Sequence, residues 1–231
     1  MLQPFVIAID GFSSSGKSTL AKQLAEKLNL KFVDSGAYYR AVTLYFIEHN
    51  ISFQNPDLLI EALQAIDVLF EYDAIQKQSK TFLNGINVEN KIRDMQVSEL
   101  VSEVSALSPV RKFVSNTLRN INDQKGLIMD GRDIGTVVFP DAQLKIFLTA
   151  NEKTRSERRF LEMKNKGAEV TEYEILQNLS GRDLLDSTRK TAPLKQAGDA
   201  VVIDNSNLSL QQQLEIATKF AETALQKYLR K

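Results

Sequence analysis

The sequence predicts an α/β fold: a mostly parallel five-stranded sheet with helices on both faces, carrying a small antiparallel insert and a helical lid. Five short apolar runs, at 5–10, 31–34, 126–130, 144–149 and 200–204, each lie near a Gly, Asp or Ser. Continuous runs rich in Val, Ile and Leu suit strands that are covered on both faces. Helical patterns lie between them, and strand alternating with helix implies a parallel sheet. Residues 66–88 break this rhythm. There Asn84-Gly85, between Thr-Phe-Leu and Ile-Asn-Val, signals a type I′ hairpin.

The first strand belongs to an apolar amino-terminal stretch without a basic leader, and Asp10 interrupts it. It reads as a strand and not as a signal peptide. Directly after it comes Gly11-Phe12-Ser13-Ser14-Ser15-Gly16-Lys17-Ser18, which satisfies G-x-x-x-x-G-K-[ST]. The next helix is announced by Leu20, Leu24 and Leu28, with Ala21 and Ala25 beside them. A strand, this loop and a helix make up a P-loop NTPase-type unit. Glycines let the backbone curl so that N–H groups face phosphate oxygens, and the helix N-terminus adds partial positive charge. Lys17 is expected on the β- and γ-phosphates of a nucleotide and Ser18 on Mg²⁺. The motif by itself does not separate a kinase from a GTPase or a motor.

The second strand runs into Asp34-Ser35-Gly36-Ala37-Tyr38-Tyr39-Arg40. Strand ends gather at one edge of such a sheet, so this cluster is expected beside the phosphate loop, where a Ser, an aromatic and an Arg suit a second phosphorylated ligand. Ser35 as a helix cap with a solvated Arg40 is the alternative. The third strand closes on Asp130-Gly131-Arg132-Asp133. Asp130 stands where a Walker-B-like carboxylate orients Mg²⁺ or its water.

After the fourth strand, Arg155, Arg158 and Arg159 fall on one helix, ended by Gly167, and Arg182, Asp186 and Arg189 on another. Spacings of three and four put each set on one face, suited to a lid over transferred phosphates. Thr171 with Glu174 and Ser209 with Gln212 form capping boxes for the last two helices. The apolar positions of the final helix include Leu214, Ala221, Leu225 and Leu229.

The 231 residues suffice for one sizeable core with appendages. Charged residues at 25% and hydrophobic residues at 43% fit a globular chain. Lys+Arg and Asp+Glu are both 29, so nothing at whole-chain level suggests nucleic acid or a membrane surface. No cysteine is present, which removes disulfides, thiolate nucleophiles and cysteine metal sites. No apolar run is long enough to span a bilayer. A cytoplasmic monomer is expected. His49, the single histidine, sits in a polar stretch and reads as a surface residue.

Together, 11–19, 34–40, 131–140, 144–148 and 191–194 resemble bacterial cytidylate kinases, in the nucleoside monophosphate kinase family. The likeness runs nearly end to end, and Gly131-Arg-Asp-Ile-Gly-Thr-Val-Val-Phe-Pro140 is its most specific part. The resemblance implies transfer of the γ-phosphoryl group of ATP to CMP or dCMP, with Mg²⁺. It implies a single domain over 1–231, a monophosphate-binding insert at about 36–110 and a lid at about 152–190. By the same likeness, Gly11 to Thr19 and Arg158 would bind ATP. Ser35, Tyr39 and Arg40 would touch the acceptor phosphate, and Ser102, Arg111 and Asp133 would read the cytosine edge. Ser102 is expected on the same helical stretch as Arg111. Arg132 and Arg189 would hold phosphate, Arg182 and Asp186 would reach the sugar, and Arg155 and Arg159 would act in catalysis with Lys17. Ser18 stands where the family often has Gly, and Leu184 and Leu185 stand where relatives carry more charge.

Rival readings are a P-loop kinase acting on UMP, AMP or a non-nucleotide acid, a GTPase-like switch, and an ATP-driven nucleic-acid protein. The switch would want an Asn-Lys-x-Asp motif, yet the fifth strand ends in Asp204-Asn205-Ser206. The last would want a basic face.

Overall fold

The computed structural model describes residues 4–73, 78–121, 125–165 and 167–230. Residues 1–3 of the amino-terminal stretch and 74–77 of the expected insert lie outside the described residues. The chain forms two compact units, one of Met1–Val33 with Ile121–Lys231 and one of Asp34–Asn120.

The first unit is built on a five-stranded sheet. Its strands are β1 (Val6–Gly11), β2 (Lys31–Asp34), β6 (Leu127–Gly131), β7 (Leu144–Thr149) and β8 (Val201–Asp204), in the order β2-β6-β1-β7-β8. β1 runs parallel to β6 and β7, and β7 runs parallel to β8. Every residue of β1 is buried, which is why its sequence is apolar without alternation. Register puts Ile7 and Ile9 on one face with Ile128, Leu144, Ile146, Leu148 and Ile203. Two helices cover that face, α1 (Lys17–Leu28) through Leu20, Ala21, Leu24 and Ala25, and α8 (Leu210–Leu229) through Ala217 and Ala221. Leu214 and Leu225 pack against the same core, but Leu229 is 72% exposed, and the last contact of α8 with that core is made by Tyr228, whose ring lies 5.4 Å from that of Phe5.

On the opposite face Asp10 and Lys145 point at a single π-helical turn, Ile134–Val138. Asp10 accepts hydrogen bonds from the Ile134 and Gly135 N–H groups at 2.8 and 2.7 Å. A Cβ on Gly135 would lie 3.1 Å from the Lys145 methylenes and 3.3 Å from Asp10 Oδ2, so the turn packs tightly on these two side chains. Two further helices, α6 (Glu152–Asn165) and α7 (Glu172–Thr188), pack through Met163, Ile175 and Leu179. Gly167, at φ 78°, follows α6 and donates to the Lys164 carbonyl, as expected of a helix stop. Both expected capping boxes are formed, at Thr171/Glu174 and Ser209/Gln212.

The second unit holds α2 (Ser35–Glu48), α3 (Pro56–Gln64), a three-stranded sheet and two further helices, α4 (Met95–Ala106) and α5 (Ser108–Arg119). The sheet has the order β3-β4-β5, where β3 is Val68–Asp73, β4 is Gln78–Leu83 and β5 is Ile86–Asn87. β4 and β5 pair antiparallel, and between them Asn84 and Gly85 have φ of 48° and 79°, both positive as a type I′ turn requires.

The single helical stretch expected from Ser102 to Arg111 is two helices. Leu107 is extended at φ −66°, ψ 123°, and separates α4 from α5. Pro109 has no N–H to give to the carbonyl four residues back, that of Ser105. The Arg111 guanidinium donates to that carbonyl instead, at 3.2 Å.

Candidate active site

The phosphate loop owes its shape to residues that tolerate left-handed backbone. Gly11 has φ 152°, and a Cβ there would lie 2.0 Å from the Leu148 carbonyl oxygen of β7, so no other residue fits. Ser14 (φ 57°) and Gly16 (φ 88°) complete the curl, and Gly16 caps α1. Lys17 opens α1, is buried, and donates to the Phe12 carbonyl at 2.5 Å and to Ser15 Oγ at 3.4 Å. Burial pushes the Lys17 ammonium down to about 7, with repulsion from Arg132 adding to it and Asp130 and Asp10 opposing it. Ser18 Oγ donates to Asp130 Oδ2 at 2.6 Å, which joins the helix start to the end of β6. Thr19 is exposed in the first turn of α1.

Arg132, which follows β6, Arg155 of α6 and Asp183 of α7 converge on Ser13. Arg132 Nε donates to Asp186 Oδ2 at 2.8 Å, and its Nη2 donates to Ser13 Oγ, also at 2.8 Å. Asp186 Oδ1 accepts from Arg189 Nη1 at 3.2 Å, and Arg189 Nη2 lies 3.6 Å from Asp133 Oδ1. Burial alone would push Asp186 up, but Arg132 and Arg189 hold its carboxyl below the ordinary carboxylate range. Arg189 is not on the helix expected for it. α7 ends at Thr188, and Arg189 is extended at ψ 143°, where its Nε donates to the Ala192 carbonyl at 2.8 Å. Arg182 is pushed down to about 10, first by burial and then by repulsion from Arg132.

The arginine face of α6 divides its labour. Arg155 is 7% exposed, donates to the Ala150 and Ser13 carbonyls at 3.1 Å each, and pairs with Asp183. Its guanidinium also lies 5.3 Å from the centre of the Phe12 ring. Arg158 bonds Asn205, whereas Arg159 pairs with Glu162 on its own helix at 2.9 Å.

In the second unit the cap of α2 is Asp34, which accepts from the Ala37 N–H at 2.9 Å. Ser35, weighed as the cap, is the first helical residue and is buried. Burial opposes ionisation of Asp34, but Arg93 at 3.0 Å holds it below its ordinary value. Tyr39 is buried with the Arg111 guanidinium 5.1 Å from its ring centre, and Arg40 Nη1 donates to Ser98 Oγ at 3.0 Å. Ser102 is buried on α4, one turn from the Ser105 carbonyl that holds Arg111.

A family model described as cytidylate kinase matches residues 7–223. The chain belongs to the cytidylate kinase family. The cytidylate kinase of Bacteroides thetaiotaomicron is 50% identical over 217 residues, which cover 93% of this chain and 95% of the relative. That of Cytophaga hutchinsonii is 44% identical over 220 residues, covering 95% and 94%. At the level of fold alone, the crystal structure of an uncharacterised protein from Eubacterium ventriosum superposes with a TM-score of 0.50 at 15% identity, covering 96% of this chain and 99% of that one.

For this member of the family the sequence pointed to most of the polar side chains around Ser13, but it missed Asp183, whose Oδ1 accepts from the Ser13 N–H at 3.0 Å. The signal was available: Asp183 precedes Asp186 by three residues on the same helix. In sequence, Asn205 shows only the absence of a guanine motif, and Asp10 only the end of a strand. Neither role is visible without the partners that folding brings. Among the described residues, no helix is long and apolar enough to cross a membrane.

Proposed function

We propose that this cytidylate kinase family member transfers the γ-phosphoryl group of ATP to CMP or dCMP, giving ADP and CDP or dCDP. The observation that carries the reading is the convergence of cations on the phosphate loop, where Lys17 is buried, Arg132 donates to Ser13 Oγ and Arg155 donates to the Ser13 carbonyl. Lys17 and Arg182 are both driven below their ordinary values by burial and by Arg132. Such a set gains most from a polyanion, which offsets the repulsion among the cations.

Gly11 to Thr19 and Arg158 would hold ATP, with Lys17 on its terminal phosphates. Ser35, Tyr39 and Arg40 would bind the acceptor phosphate, together with Arg132 and Arg189. Ser102, Arg111 and Asp133 would read the base, because cytosine presents an amino donor beside ring acceptors. Arg182 and Asp186 would reach the sugar, and Arg155 and Arg159 would stabilise the group in flight. An acceptor phosphate is already ionised at neutral pH, so these residues work by positioning and charge neutralisation, without a general base.

Ser18 and Asp130 suit Mg²⁺: a hydroxyl and a carboxylate oxygen stand 2.6 Å apart, and that ion takes few protein oxygens beside phosphate and water. When bound, Mg²⁺ supplies charge neutralisation on the β- and γ-phosphates. The residues at about 36–110 are proposed as the acceptor-binding insert and those at about 152–190 as the lid, in one kinase domain. The enzyme is proposed to act as a cytoplasmic monomer.

A coupled ADP-release assay with ATP·Mg²⁺ and CMP, dCMP, UMP, AMP, GMP or shikimate tests the reading. Preference for CMP or dCMP is expected. Preference for another acceptor would remove Ser102, Arg111 and Asp133 as readers of cytosine.

A further inference from the structure

Asn205 follows β8 and is 1% exposed. Its backbone N–H donates to the Thr149 carbonyl at 2.9 Å, which continues the pairing of β7 with β8 for one more residue. Its side chain is fully engaged. Nδ2 donates to the Ser15 carbonyl at 2.9 Å and to Gln213 Oε1 at 2.6 Å, while Oδ1 accepts from Arg158 Nη1 at 3.0 Å. The orientation of the amide follows from chemistry. A backbone carbonyl can only accept and a guanidinium can only donate, so nitrogen must face Ser15 and oxygen must face Arg158. The Asn205 carbonyl takes a second bond from Arg158, at 2.9 Å from Nη2.

One buried amide therefore spans two parts of the first unit that are distant in sequence. One is the carbonyl just before Gly16, at the crest of the phosphate loop. The other is the guanidinium of Arg158, part-way along α6. Arg158 thus meets Asn205 through two nitrogens, one on the side-chain oxygen and one on the backbone carbonyl. A Cβ on Gly16 would lie 3.6 Å from Asn205 Nδ2, so the amide also fills the space behind the left-handed cap of α1.

We propose that Asn205 is a positioning residue for the ATP side of the reaction, setting the phosphate-loop crest and Arg158 in one geometry. Its loss frees both, so the cost falls on ATP and not on the acceptor. The inference rests on the reading of the phosphate loop as the ATP site. A neutral amide suits the task, because it supplies a donor to the loop and an acceptor to the arginine without adding charge beside a polyanion.

The test compares Asn205→Ala, Arg158→Ala and the double variant with the wild type, by steady-state kinetics in ATP and in CMP and by calorimetric binding of ADP. Arg158 is partly exposed, so its variant probes the same link if Asn205→Ala folds poorly. Each single variant is expected to raise KM for ATP about tenfold, with KM for CMP changed less than twofold. The double variant is expected to be no worse than about the poorer single, as for residues that act as a unit. Equal rises in both KM values, an unchanged KM for ATP in folded variants, or additive losses would overturn the proposal. Wild-type protein that binds no ADP would instead remove the underlying assignment of the phosphate loop.

Discussion

Arg132 Nε and Asp186 Oδ2 are 2.8 Å apart across 54 residues of sequence, and both side chains are largely withdrawn from solvent. Asp186 divides its two oxygens between Arg132 and Arg189, while Arg132 spends a second nitrogen on Ser13. The pair therefore connects the end of β6, α7 and the phosphate loop. Removing one member of a buried pair leaves an uncompensated charge, which typically costs about 3–5 kcal/mol. Asp186→Ala should lower stability on that order and reduce kcat/KM for CMP by about 100-fold. A double-mutant cycle with Arg132→Ala checks the coupling. Strictly additive losses would mean that the two residues act separately.

Ser18 ties α1 to Asp130 and offers the proposed ligand for Mg²⁺. Ser18→Ala should cost stability roughly 1 kcal/mol through the lost hydrogen bond. It should lower kcat by about 10- to 100-fold, and raised Mg²⁺ should recover part of the loss. Titration of activity against Mg²⁺ makes the measurement. An unchanged Mg²⁺ dependence would remove Ser18 from the metal site.

Asp10 carries a pH dependence whose sign is fixed. Burial raises its carboxyl to about 6 from an ordinary value of 3.8, although the Gly135 and Ile134 N–H groups pull it back. The folded state then holds the proton more tightly than the unfolded state does. Its contribution to stability is fully present below the ordinary value and is lost as pH rises through about 6. Urea midpoints between pH 4 and 6.5 should show this falling component in the wild type and not in Asp10→Asn. A parallel pair of curves would show that Asp10 does not titrate there.

The capping box of α7 has both reciprocal bonds, with Glu174 N–H to Thr171 Oγ1 at 3.2 Å and Thr171 N–H to Glu174 Oε2 at 2.8 Å. Thr171→Ala should cost about 1 kcal/mol, felt locally as faster amide exchange over the first turn of α7. Exchange measured by mass spectrometry reports it. No change in that turn would mean that packing through Ile175 and Leu179 holds the helix start unaided.

How far the sequence reached depends on how local each cause is. The phosphate loop was legible because its pattern lies within eight consecutive residues, where Gly11 and Gly16 take φ of 152° and 88°, backbone that favours glycine. The hairpin at Asn84-Gly85 and both capping boxes were legible for the same reason, since each is closed by neighbours in the chain. The central strands β1, β6 and β7 were legible from burial on both faces, which writes itself as an unbroken apolar run, whereas the edge strands β2 and β8, expected to be covered alike, are partly exposed, Val202 at 49%.

What the sequence could not hold is the pairing of groups far apart. Ser13 meets Asp183 across 170 residues and Asn205 meets Ser15 across 190, and no spacing rule joins such positions. The break at Leu107 belongs with them: Pro109 was visible, but the chain's answer, Arg111 satisfying the carbonyl that proline leaves, needed the folded helix pair. Local backbone chemistry settled the fold class and the loop that faces phosphate. Which arginine meets which carboxylate was left to tertiary structure, because buried charges take their partners from whatever the packed elements bring within about 3 Å.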